Sequence, residues 1–234
     1  PARDALHKWL EQATGSGDIH WLEWSKRSEE LRHLAARLVN ARPEEIALVP
    51  NTTTGIGLIA EGFPWKPGDN LICAANEFPS NQYPWLNLAS REIEVRSIQP
   101  TRGRITVDDI RPLCNDRTRL LALSWVGFSS GWRIDVNAIG QFCRERGIFF
   151  FLDAIQGLGV FPLDLATSAV DAFAADGHKW MLGPEGAGLF FIRHEWLDRL
   201  HPLLVGWNSV AVREFNTVRW QPRPTAARYE GGSL

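Results

Sequence analysis

The sequence predicts an α/β fold built on an open, mainly parallel seven-stranded sheet with helices on both faces. Three observations predict it. Short runs at 46–49, 71–75, 120–125, 148–152, 170–174 and 188–192, largely apolar, and an alternating run at 93–98 have the length and residue content of strands. Helical segments alternate with them, as when crossover helices join parallel strands. The run at 149–152 is Phe-Phe-Phe-Leu, apolar without alternation, as expected of a strand buried on both faces.

In chain order, residues 4–13 read as a short helix. Ser25 reads as the cap of a longer helix to Asn40, with Leu31, Leu34, Ala35 and Leu38 on one face. Residues 1–45 thus form a helical segment ahead of a sheet domain at 46–234. Pro50-Asn51-Thr52-Thr53-Thr54-Gly55 follows the first strand and leads into a helix ending near Glu61. Pro64, Pro67 and Gly68 mark a loop, and Gly103 a turn. Further helices are expected at 81–91, 107–114, 135–146 and 195–200. The strand at 188–192 is the candidate for an antiparallel member. The sequence has no internal repeat, low-complexity tract or interior linker.

Composition narrows the function classes. With 44% hydrophobic residues in 234, the chain can bury a core, which excludes a disordered class. A net charge of −2 gives no electrostatic footprint for nucleic acid. No apolar run approaches the ~20 residues that span a bilayer, and PARDALHKWLEQ lacks the apolar stretch of a signal peptide. Cys73, Cys114 and Cys143 are odd in number and widely spaced. They read as reduced thiols of a cytoplasmic protein, with no disulfide framework or zinc site. The chain opens on Pro1 and stops at Gly231-Gly232-Ser233-Leu234, so both ends read as cut.

The chemistry concentrates between 149 and 193. Asp153 follows the run 149–152, and Gln156 lies three residues on. His178 and Lys179 follow the run 170–174 in a loop rich in Gly and Pro. An acid at the end of a buried strand costs several kcal/mol unless a cation partners it. Lys179, flanked by His178, Trp180 and Met181, is expected to be partly desolvated, which lowers an amine's pKa. Only Lys8, Lys26, Lys66 and Lys179 are lysines; the other 21 basic residues are arginine. A neutral lysine can form a Schiff base, and arginine cannot. Pyridoxal phosphate (PLP) explains both groups, because its aldehyde condenses with a lysine and its pyridine nitrogen needs a carboxylate.

Asp153-Ala-Ile-Gln156 and Gly177-His178-Lys179-Trp180, 26 residues apart from Asp153 to Lys179, resemble the class V aminotransferase family of PLP enzymes. That family includes cysteine desulfurases, selenocysteine lyases, kynureninases and epimerase-like proteins. The resemblance runs from about Val49 to the end of the chain. It implies the large domain of the aspartate-aminotransferase-like fold (PLP fold type I), with a smaller C-terminal domain missing here. It also implies the site. Lys179 is the Schiff-base lysine and proton shuttle, and Asp153 the pyridinium partner. Gln156 bonds the phenolic oxygen, His178 reaches the phosphate, and Phe78 stacks on the ring. Thr53, Thr54 and the Gly55 amide hold the phosphate at a helix N-terminus. Arg228-Tyr229-Glu230-Gly231-Gly232-Ser233 resembles the segment whose hydroxyl residue crosses a homodimer interface to the partner's phosphate.

Each residue also has a plainer role. Asp153 is a helix-capping acid, Gln156 a turn residue, Lys179 a solvated lysine and Phe78 a core residue. His178 is then a loop histidine and Thr52–Thr54 a capping cluster. Gly55-Ile-Gly57-Leu-Ile-Ala60, with Glu77 22 residues beyond Gly55, fits a dinucleotide fingerprint. That reading leaves Asp153 and Lys179 unexplained, and five residues separate the strand from the first glycine. Two departures from the desulfurases stand out: Phe128 replaces an Asn, and Asp176 replaces a Ser two residues before the histidine. Asp176 is expected to point away from phosphate or to pair with an arginine. The expected function is a PLP enzyme acting on an amino acid by transamination, elimination or epimerisation. The alternatives are a catalytically incompetent fragment or binding module, and a dinucleotide-binding oxidoreductase.

Overall fold

The computed structural model describes residues 1–214, 216 and 220–232. Two helices lead, α1 (Ala2–Ser16) and α2 (Trp21–Val39). They are followed by β1 (Ile46–Val49), α3 (Thr52–Gly62), β2 (Asn70–Ala74), α4 (Tyr83–Leu86) and β3 (Glu94–Ile98). Then come α5 (Val107–Ile110), β4 (Thr118–Ser124), α6 (Val136–Arg146), β5 (Phe149–Asp153), β6 (Ala172–Asp176) and β7 (Gly188–Ile192).

The strands form one seven-stranded sheet in the order β1-β7-β6-β5-β4-β2-β3. All neighbours pair in parallel except β7, which runs antiparallel to both β1 and β6. The expected antiparallel strand is therefore the one at 188–192. Both faces are covered, which explains the unbroken apolar runs. Phe150 and Leu152 face one way with Phe173 and Phe191, packed with Ala35, Ala36 and Val39 of α2 and Phe142 of α6. Phe149 and Phe151 face the other way with Ala172 and Phe190, packed with Ile56 and Ile59 of α3 and with Trp85. Each such side chain contributes about 1.5–3 kcal/mol by leaving water.

Several boundaries differ from the sequence reading. The second helix begins at Trp21, four residues before Ser25, because Trp24 packs back on α1: its Nε1 donates to Gln12 Oε1 at 3.2 Å and its ring lies 6.1 Å from that of Trp9. The helix expected at 81–91 is α only at Tyr83–Leu86, flanked by 3-10 turns at Pro79–Asn81 and Asn87–Arg91. At 107–114 the α-helix stops at Ile110 and Pro112 lies in a 3-10 turn, because proline lacks an N–H and its ring clashes with the turn before it. The segment 195–200 holds only a 3-10 turn, His194–Trp196. The sixth strand extends to Asp176, so that acid belongs to the sheet and not to the loop.

Among the described residues no helix is long and apolar enough to cross a membrane, and no group of His, Cys, Asp and Glu could hold a metal ion.

Candidate active site

The parallel strands β1, β2, β4, β5 and β6 end at one edge of the sheet, where ligands of open α/β sheets bind. Asp153 is the last residue of β5 and Asp176 the last of β6. Ser124 ends β4 directly opposite Asp153 in register. Thr52 opens α3 just after β1, and Glu77 and Phe78 follow β2.

Asp153 is buried. Its Oδ1 accepts from the Ile155 amide at 3.1 Å, and among the described residues Oδ2 has no donor. Burial pushes its carboxyl up to about 7; the Ile155 amide opposes this, Glu77 adds to it, and Lys179 opposes it. Glu77 is a second buried acid. It accepts from the Ser124 amide at 2.7 Å and from the Ser124 hydroxyl, yet burial still raises its pKa. In the sequence Glu77 stands out only as the acid of the dinucleotide fingerprint. Its partner lies 47 residues away on another strand, so no local signal reveals it.

Lys179 is half-buried in the loop after β6, with Nζ 5.9 Å from the centre of the Phe78 ring. Phe78 in turn meets Phe128 edge-on, ring centres 5.4 Å apart. These residues are thus brought together as expected, and Phe128 takes an aromatic role where an Asn was the alternative. Trp180 is exposed and does not bury the lysine; its Nε1 donates to Gln156 Oε1 at 3.1 Å, which leaves the Gln156 amide nitrogen free to donate.

The N-terminus of α3 lies beside β6. Asn51 caps it: its Oδ1 accepts from the Thr54 amide at 2.8 Å and from the Thr54 hydroxyl at 3.1 Å. The Gly55 amide makes the first helical bond, to Asn51 O at 3.4 Å. So the Thr54 and Gly55 donors are engaged within the turn. Thr52 and Thr53 carry the amides without an intrahelical acceptor, and the exposed Thr53 hydroxyl donates to Ser80 Oγ at 2.9 Å. Gly55 matters instead for packing, since a Cβ there would lie 2.5 Å from Ala174 Cβ. Because Gly55 sits inside α3 and not in a tight turn off β1, and Glu77 is pinned to Ser124, the dinucleotide reading fails.

His178 is in the same loop as Lys179, with Nδ1 3.0 Å from Asp176 Oδ2. Asp176 therefore pairs with histidine, not with arginine. Ser233 lies outside the described residues. No cysteine serves the site: burial pushes Cys73 up to about 12 and raises Cys143, while Cys114 is half-buried at the end of a 3-10 turn. A cleft of about 840 Å3 between Ile105–Asp108, Trp132–Ile139 and Pro162–Ser168 holds no such paired groups. The paired groups lie at the open strand ends.

Known proteins share this fold. The Aminotransferase class-V family model matches residues 4–234. A probable cysteine desulfurase of Methanothermobacter thermautotrophicus is 30% identical over 215 residues, 91% of this chain and 53% of that protein. A cysteine desulfurase of Cronobacter sakazakii is 32% identical over 225 residues, 92% of this chain and 54% of that protein. Among solved structures, the cystine C–S lyase C-DES in complex with its reaction product cysteine persulfide superposes with a TM-score of 0.91 at 25% identity, covering 99% of this chain and 63% of that one. The chain spans about half the length of the curated relatives it matches. With the family model matched along almost its whole length, the chain belongs to the class V aminotransferase family.

Proposed function

We propose that the protein is a PLP-dependent enzyme acting on an amino acid, with Lys179 and Asp153 at its centre. The observation that carries this reading is the meeting, at one sheet edge, of an amine beside an aromatic face and a buried carboxylate with one free oxygen. The donor set fits the cofactor end to end. Thr53 and the first amides of α3 suit a phosphate, Phe78 offers a ring face, and the Gln156 amide suits a phenolic oxygen.

Bound there, the cofactor would supply an aldehyde for covalent capture and an electron sink. The chain supplies the rest. Asp153, buried at the end of β5 with one oxygen free, would accept the N–H of the ring nitrogen and keep positive charge where electrons are drawn. Lys179 binds the cofactor and then moves the proton at the substrate α-carbon. His178 reaches towards the phosphate, and Ser233 contacts the phosphate of the neighbour in a homodimer. The free thiols support a reducing, cytoplasmic setting. The desulfurase relatives make a sulfur amino acid such as cysteine the first substrate to test.

Exchange of the substrate α-proton in heavy water tests the assignment in the full-length protein. Asp153→Ala should slow exchange on the order of a hundredfold or more while PLP still binds; exchange at the wild-type rate would remove Asp153 from the mechanism. Sedimentation tests assembly. A dimer is expected, and a protein that stays monomeric while holding PLP tightly contradicts the cross-subunit role of Ser233.

A further inference from the structure

A carboxylate at the phosphate end of a PLP site is at first sight misplaced. Asp176 is buried, and its Oδ1 has no hydrogen-bond partner. It cannot swing away, because β6 holds it and its amide donates to Thr52 Oγ1 at 2.9 Å, tying the strand end to the first residue of α3. It therefore lies on the side where α3 offers its free amides. Its other oxygen, Oδ2, lies 3.0 Å from His178 Nδ1, whose side chain remains 31% exposed.

We propose that Asp176 is a positioning residue for His178, the two forming one unit that presents a directed cationic donor to the cofactor phosphate. The proposal rests on the PLP reading above. With Nδ1 turned to Asp176, Nε2 is the nitrogen left to face a ligand. A histidine that donates to the carboxylate through Nδ1 and to a phosphate through Nε2 carries both protons and a positive charge. The pair is then neutral, and the phosphate meets a charge-assisted donor rather than a bare carboxylate. Without the imidazole, the same carboxylate is an unpaired negative charge beside a dianion. The effect of Asp176 on phosphate binding thus changes sign with the presence of His178.

The test is a double-mutant cycle of equilibrium binding on the full-length protein, with PLP and with pyridoxal, which lacks the phosphate. Asp176→Asn alone should weaken PLP binding about tenfold, the order expected for one charge-assisted hydrogen bond. In a His178→Ala background the same substitution should strengthen PLP binding. Pyridoxal binding should change in neither background. Asp176→Ala serves as a second variant without a side-chain donor should the amide disturb folding, and melting temperatures monitor the fold. Weakening of PLP in both backgrounds, or an equal shift for pyridoxal, overturns the proposal and leaves the PLP reading standing. Failure of the wild-type protein to bind PLP through Lys179 overturns both.

Discussion

Arg32 and Glu230 form a buried ion pair across 198 residues of sequence, their side chains 6% and 3% exposed. Arg32 comes from α2. Glu230 comes from the 3-10 turn Ala226–Glu230 and also accepts from the Leu48 amide of β1 at 2.9 Å. Arg32 adds a bond to Ile46 O at 2.8 Å. The contact fastens the segment that leads to Ser233 onto the helical lead and the first strand.

Removing one partner leaves a buried charge, which costs more than the pair contributes. Glu230→Ala should therefore destabilise the protein by about 3 kcal/mol in urea unfolding, the low end of the range because Glu29 also holds Arg32. Arg32→Met combined with Glu230→Leu should cost much less. Equal losses in the two variants would show that packing, not charge, makes the contact.

The cofactor-free protein should lose stability as pH rises. Asp153 sits at about 7 when folded against an ordinary value of 3.8, so between these values the folded chain holds a proton that the unfolded chain has released. Stability then falls across that window and stays low above it, by up to about 4 kcal/mol from this group alone. Asp171, pushed up to about 6 by burial, and Glu77 act in the same direction. Asp153→Asn should match the wild type near pH 4 and exceed it at pH 8. Urea unfolding at the two pH values measures this, and a difference independent of pH would contradict the burial argument.

The sheet was legible because strands such as β1, β5 and β7 are buried on both faces and read as apolar runs, down to the antiparallel strand Gly188–Ile192, while the edge strand β3 shows its alternation. The short helices were less so. Apolar spacing carried 81–91 and 107–114 past Pro84 and Pro112, where local backbone chemistry shortened the α-helices. At the site, residue type and the 26-residue spacing singled out Asp153 and Lys179, and the structure brings Phe78 beside the lysine and Phe128 against Phe78. What stayed hidden depends on geometry that residue order does not show. Glu77 holds Ser124 from 47 residues away, and Asp176 takes His178, two residues on, as its partner through the turn of the loop. The cap of α3 was also hidden: Asn51, not a threonine, accepts from the Thr54 amide.

The central claim is that Lys179 is the amine that captures PLP. Incubation of the full-length protein with PLP, reduction with borohydride and peptide mapping test it most directly. A visible absorption band before reduction, label confined to Lys179, and loss of both in Lys179→Ala are expected. Label on Lys8, Lys26 or Lys66, with Lys179 unmodified, would contradict it.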